Sequence, residues 1–326
     1  MTRMELLYLT ADDVTELLDM PGALSVVEEA FREHGMEQVQ MPAKSYLYFP
    51  TGDLRTMPAY LKSAGIAGVK IVNVHPGNPA KGLPTVMAVV VLNSIETGAP
   101  LAMMDGTYLT DMRTGAAGGV AADRLARRDA TVVGMIGAGR QAMTQLQAIS
   151  IVRDIDAVKV VDVSAATCDR FKKKMAELGC DIVIAGSVQE TCDCDILVTT
   201  TPVRAPIVAD GWVREGTHIN AIGADATGKE ELDPQILKRS TIVIDDYAQA
   251  THSGEINVPL NDGVITVDDI YGTLGEVVAG IKPGRTSDSE ITVFDSTGLA
   301  IQDVSTAHHV YRQAVERGIG ARLKLF

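Results

Sequence analysis

Apolar residues between positions 12 and 37 recur at helical spacing (Val14, Leu17 and Leu18, then Ala23, Leu24, Val27, Ala30 and Phe31). This predicts two short helices, with Pro21 placed to open the second. Beyond Pro42 the period changes, and the stretches 45–49, 54–61, 67–74 and 85–93 read as strands of a meander-like sheet, separated by Gly, Pro and Asn turns. Residues 109–128 become helical again and rich in Ala and Gly, as expected of a segment packed closely between two domains. After Asp129 short apolar runs at 131–136, 158–163, 181–185, 196–200, 218–222, 241–245 and 292–294 alternate with helix-like stretches. Continuous Val/Ile-rich runs of this length suit strands buried on both faces of a parallel sheet, so this half is expected to be a doubly wound α/β domain. That pattern is complete by Asp295, and the closing helix, roughly 303–317, is expected to cross back onto the first domain. The expected division is 1–125, completed by 304–326, and 126–303. It agrees with a chain of 326 residues, which is long for a single core.

A hydrophobic content of 46% with 22% charged residues is ordinary for a soluble globular protein with sizeable cores. The formal net charge of −13 changes the picture more, because such a field repels nucleic acid and anionic bilayers. Neither partner is expected. An anionic substrate would need Lys and Arg clustered around it. The N-terminal segment turns polar at Asp12 and Asp13 before any signal-type core develops, and no apolar run approaches ~20 residues. A cytoplasmic protein is therefore expected, with Cys168, Cys180, Cys192 and Cys194 as free thiols. Cys192-Asp193-Cys194 has no partner pair of Cys or His at a zinc-site spacing, so no metal is expected.

The run Val132-Val133-Gly134-Met135-Ile136 leads into Gly137-Ala138-Gly139-Arg140-Gln141-Ala142, which fits G-x-G-x-x-A, the Ala-ending form of the dinucleotide fingerprint. Gly137 permits the tight turn, Gly139 lets backbone N–H groups approach a pyrophosphate, and the following helix N-terminus favours its charge. The next strand ends with Asp162, about twenty residues on, where a carboxylate can accept both ribose hydroxyls. Asp162 would also repel a 2′-phosphate, and Val163-Ser164-Ala165-Ala166 offers no arginine to bind one, so NAD is favoured over NADP. Arg140 and Gln141, within the loop, and Thr200 and Thr201, at the carboxyl end of another strand, are candidate cofactor contacts. A threonine-rich strand terminus would serve equally without a ligand. The second half is thus expected to be a Rossmann domain, paired with an α+β domain for substrate and dimerisation.

Other candidate residues lie in the first half. Lys70 sits inside an apolar strand, where an unpaired ammonium would be costly, so an anion is expected to meet it. Lys44, Arg55 and Arg113 could join it, although Lys44 could equally be a solvated charge and Arg113 a helix-surface one.

The sequence resembles the ornithine cyclodeaminase/μ-crystallin family over essentially its whole length, and within it is most similar to the archaeal alanine dehydrogenases. The resemblance rests on His75-Pro76-Gly77-Asn78-Pro79, Lys81-Gly82-Leu83-Pro84-Thr85, Arg113-Thr114-Gly115-Ala116-Ala117, Gly137-Ala138-Gly139-Arg140-Gln141, Asn220-Ala221-Ile222-Gly223-Ala224-Asp225, Gly254-Glu255-Ile256 and the run from Phe294 to Asp303. It implies that Lys70 and Arg113 hold a substrate carboxylate beside the nicotinamide, with Lys44 or Arg55 as further anion contacts. Thr114 and Gly223 would border the cofactor. Asp225 would be the acid/base that activates water, with a turn residue before Gly228 as the alternative. The reaction implied is oxidative deamination of a small amino acid, alanine foremost, to a keto acid and ammonia, reversibly and with NAD. Cyclodeamination of ornithine and reduction of a cyclic ketimine are the alternatives. Two departures favour a small, non-basic substrate. The chain reads Gly-Ala-Asp-Ala-Thr-Gly-Lys around Asp225, where cyclodeaminases typically read Gly-Gly-Asp-Cys-Pro-Gly-Lys, and Arg55 to Met57 supplies no carboxylate for a distal amine. A homodimer formed through the first domain is also implied.

Overall fold

The computed structural model describes residues 5–325. In chain order it opens with β1 (Glu5–Leu9), α1 (Ala11–Leu17), α2 (Met20–Gly35), β2 (Val39–Gln40), β3 (Ser45–Phe49), β4 (Gly52–Leu61), β5 (Ile66–Val74), β6 (Val86–Ser94), β7 (Pro100–Asp105) and α3 (Thr107–Leu125). Strands and helices then alternate: β8 (Val132–Ile136), α4 (Arg140–Val152), β9 (Ala157–Val161), α5 (Ala165–Met175), β10 (Asp181–Ile184), α6 (Val188–Thr191) and β11 (Ile196–Thr199). There follow β12 (Arg204–Val208), β13 (His218–Ala221), β14 (Glu230–Leu232), α7 (Pro234–Lys238), β15 (Thr241–Ile244), α8 (Tyr247–Ser253) and α9 (Asn257–Asn261). The chain closes with β16 (Ile270–Thr273), α10 (Leu274–Val278), β17 (Thr292–Asp295), α11 (Ala300–Arg317) and β18 (Ala321–Lys324).

Two compact units result, one running to Arg113 and resumed from Leu299, the other Thr114–Gly298. The division falls inside α3, whereas the sequence pattern put it at the end of that helix. Gly115 and Gly118 account for the difference, because they let the second half of α3 lie directly on α4. A Cβ at Gly115 would sit 2.5 Å from Thr144 O, and one at Gly118 would overlap Gln145 Oε1.

In the first unit the sheet order is β18-β1-β7-β6-β5-β4-β2, with β3 on β4. The expected meander is present as antiparallel β3 to β6, and β7, β1 and β18, which the sequence pattern does not mark, extend it. Alternation decides its two faces. Met57, Ala59, Lys70, Val72, Val90, Leu92 and Met104 are buried on the face that α11 covers. Leu54, Val69, Ile71, Val89, Val91 and Met103 stay half-exposed on the other. The closing helix returns to this unit, as its position after the last strand of the α/β pattern predicts.

The second unit is a doubly wound, all-parallel sheet of order β10-β9-β8-β11-β13-β17-β15-β16. Its strands bury both faces: Val133, Met135, Ile196 and Val198 belong to one core, Leu197, Ile219, Ile242 and Val293 to the other. Strand order reverses between β8 and β11, and the crevice beyond the carboxyl ends of those strands is where such sheets take ligands. No helix of the described residues is long and apolar enough to cross a membrane.

Candidate active site

The loop that leaves β8 at the switch point carries the glycine fingerprint. Gly137 adopts φ +93°, and a Cβ there would lie 2.6 Å from Thr200 Oγ1 at the end of the neighbouring strand β11. Only glycine combines that backbone with that approach. Gly139 is the N-cap of α4, and a Cβ built on it would meet nothing within 4 Å, so a ligand could approach the backbone there closely. Asp162, just past β9, accepts Ala138 N–H through Oδ2 at 2.9 Å and Ser164 N–H through Oδ1 at 2.9 Å, which fixes its carboxylate beside the turn. A positive-φ glycine turn, an open approach at Gly139, a helix N-terminus and an oriented carboxylate fit a dinucleotide. Arg140 lies exposed at the start of α4, with Gln141 beside it, and Thr114 is held on α3 by its carbonyl, which accepts Gln145 Nε2 at 2.8 Å.

The next two loops come from β11 and β13. Thr200 N–H donates to Ile136 O at 2.9 Å, closing β11 against β8. Thr201 and Gly223 meet on Glu231, which accepts Thr201 N–H at 2.7 Å and Gly223 N–H at 2.9 Å. Asp225, two residues beyond Gly223, is half-exposed and receives Lys229 Nζ at 2.6 Å, four residues on in the same loop.

The first unit gathers the cations. Lys70 is 1% exposed, and its Nζ lies 2.7 Å from Asp303 Oδ1 on α11; Arg113 Nε lies 2.9 Å from the same oxygen. Arg113 Nη1 also donates to Gln302 Oε1 at 2.8 Å. Two buried cations thus share the Asp303 carboxylate, which gives this cluster a net positive charge. Burial foremost, then the charge of Arg113, lowers the Lys70 ammonium to about 7, against the opposing pull of Asp303; Lys44 adds a further lowering charge. Arg55 shares a sheet face with Lys70 but is engaged elsewhere. Its Nε and Nη2 grip both oxygens of Asp53 at 2.9 and 3.1 Å, and its guanidinium lies 5.4 Å from the centre of the Tyr46 ring. The strand therefore does hold a carboxylate, at Asp53, which attention to Arg55–Met57 overlooks. It is neutralised in place.

Two residues escaped the sequence reading as site members. Asp303 stood only as the last residue of a family-like run, and Glu231 lay in an acidic stretch that looks solvated.

A model of the ornithine cyclodeaminase/mu-crystallin family matches residues 4–318. The chain belongs to that family. Within the ornithine cyclodeaminase/mu-crystallin family it is 55% identical to an alanine dehydrogenase of Archaeoglobus fulgidus, over 99% of both chains. An archaeal alanine dehydrogenase dimer with bound NAD superposes with a TM-score of 0.97 at 54% identity, covering 99% of this chain and 100% of the other. The Δ1-pyrroline-2-carboxylate reductase of Thermococcus litoralis, in complex with NADH and L-proline, gives 0.95 at 40% identity, covering 98% and 100%. The Rossmann fold expected from the fingerprint is thus that of NAD-binding relatives.

Proposed function

We propose that this protein is an NAD-dependent dehydrogenase that converts L-alanine and water reversibly to pyruvate and ammonium. The full-length 55% identity to an alanine dehydrogenase supports the substrate. The observation that carries the reading is the buried pair of cations, Lys70 and Arg113, balanced by the single carboxylate of Asp303. An α-carboxylate supplies the missing charge and accepts from both. The Arg55–Asp53 pair presents a neutral surface in place of a carboxylate that could receive a second amine, which suits a methyl side chain. Gly137, Ala138, Gly139, Arg140 and Gln141 seat the pyrophosphate, Asp162 the ribose, and Thr114, Thr200, Thr201 and Gly223 border the cofactor. When bound, NAD accepts the hydride from the α-carbon. Asp225 then takes a proton from water as its oxygen attacks the iminium carbon, and ammonia leaves as the carbonyl forms. Lys229 holds that carboxylate in place.

Reduction of a cyclic imine is a second reading, favoured by the L-proline complex of the 40% identical relative. Such a substrate takes hydride without water attack and dispenses with Asp225. Purified protein with NAD and alanine should form NADH and ammonia together, and Asp225→Asn should abolish both. Ammonia from ornithine without net NADH would make it a cyclodeaminase. Turnover of pyrroline-2-carboxylate with NADH, undiminished in Asp225→Asn, together with inert alanine would select the reductase.

Two features bear on assembly and place. The half-exposed apolar face of the first sheet, with Leu47 and Tyr48 60% and 74% exposed on β3, is suited to covering by a second copy, giving a homodimer. The free thiols suit a reducing cytoplasm.

A further inference from the structure

Glu231 is fully buried, although it stands in the polar stretch Gly228-Lys229-Glu230-Glu231-Leu232-Asp233. Its two oxygens divide their work. Oε1 accepts Thr201 N–H at 2.7 Å and Thr201 Oγ1–H at 2.6 Å, while Oε2 accepts Gly223 N–H at 2.9 Å. One carboxylate thereby spans the loops that leave β11 and β13. The fit leaves no slack, since a Cβ at Gly223 would lie 2.6 Å from both Glu231 Oε2 and Thr201 N.

The clamp is itself anchored. Glu255 Oε1 accepts the N–H groups of Glu231 and Leu232 at 2.8 and 2.7 Å, fixing β14 from behind. Asp295, at the end of β17, accepts Glu255 N–H and Ile256 N–H at 2.9 and 3.2 Å. Three buried carboxylates in series each hold main-chain donors, running from the carboxyl end of β17 through β14 to the loops that leave β11 and β13. Burial, and then the Glu231 charge, push the Glu255 carboxyl well above the usual range. Burial raises the Glu231 carboxyl too, opposed by the Thr201 and Gly223 donors that hold it. An apolar side chain would fill this volume at less desolvation cost, so stability alone does not account for a carboxylate here.

We propose that Glu231 is a positioning residue for catalysis, setting the distance between the Thr200–Thr201 edge of the cofactor seat and the loop that carries Asp225. The inference rests on the cofactor seat assigned above. Thr200 packs on Gly137, so a shift at Thr201 moves the surroundings of the dinucleotide turn; Asp225 N–H donates to Gly223 O at 3.1 Å, so a shift at Gly223 moves the acid/base.

The test is Glu231→Gln, whose amide nitrogen would face a main-chain donor in place of an acceptor. NADH affinity, read from the nicotinamide fluorescence of the protein without substrate, should weaken about tenfold, and kcat for alanine should fall with it. Glu231→Asp keeps the charge but is too short to reach both loops, and should weaken NADH at least threefold. It decides the matter if the glutamine variant fails to fold. Asp162→Ala is run alongside. NADH affinity within twofold of wild type in a folded Glu231 variant, while Asp162→Ala weakens it, overturns the clamp and leaves the seat standing. Affinity unchanged in both variants shows the seat misplaced, and the clamp falls with it.

Discussion

Lys70 Nζ and Asp303 Oδ1 lie 2.7 Å apart, although 233 residues separate them in the chain. The contact sets the charge of the anion site, because the same oxygen also serves Arg113. Asp303→Asn should leave two cations buried without a counter-charge, at a cost of about 3 kcal/mol in urea unfolding. It should also raise KM for alanine more than tenfold, through loss of the Lys70 position. An unchanged unfolding midpoint would show that Asp303 is not what tolerates the buried cations.

The lowered Lys70 ammonium makes anion binding depend on pH in a stated direction. A carboxylate ligand needs the protonated form, which predominates below about 7 and is lost as pH rises through that value. KM for pyruvate, at saturating ammonia and NADH, should be level at pH 6 and rise toward tenfold per unit above pH 7. A level KM to pH 9 would show that the ammonium keeps its charge. The stability effect has its own sign. The folded value lies below the ordinary lysine value of 10.5, so between the two the unfolded chain binds the extra proton and stability rises with pH.

His218 titrates in the acid range. Fully buried between Thr292 Oγ1 at 2.9 Å and Asn220 Oδ1 at 3.0 Å, it is lowered to about 3, by burial first and then by the charge of Arg285. Its unfolded value near 6.5 is higher, so stability is complete above pH 6.5 and is lost as pH falls toward 3. Urea midpoints taken from pH 7 to pH 4 should decline, and His218→Gln should decline less steeply. Equal slopes would assign the acid sensitivity elsewhere.

Asp162 should decide cofactor choice. Asp162→Ala removes the charge that opposes a 2′-phosphate, and the ratio of kcat/KM for NAD over NADP should fall at least tenfold. A preserved ratio would mean that the phosphate is rejected by some other group.

What the sequence reveals of this site follows from how far apart its parts lie in the chain. Gly137, Gly139 and Asp162 are legible because a strand, a turn and the next strand end fall within one supersecondary unit. Asp303 is not, since no local pattern links α11 to the middle of β5. Glu231 is concealed by composition: with Lys229, Glu230 and Asp233 around it, nothing marks the one acidic side chain that turns inward. The missed strands have the same origin. Every residue of β18 is exposed, so it carries no alternation, and β16 is four residues beside a short helix. Conversely, β4 and β5 alternate cleanly along one covered face, and the apolar runs of the α/β half stand out because both of their faces are buried.

The return of α11 and β18 to the first sheet also has a consequence for how the molecule is made. β18 pairs Lys324 with Glu5 on β1, at the edge of that sheet. A ribosome that has released residues up to Gly298 has delivered every strand of the parallel sheet, while the other unit still lacks its covering helix. Vectorial synthesis therefore places the nucleotide fold first in the order of maturation. Until α11 is made, Lys70 has a sheet beneath it and no Asp303 above, so the cation cluster acquires its counter-charge only after the nucleotide fold is complete.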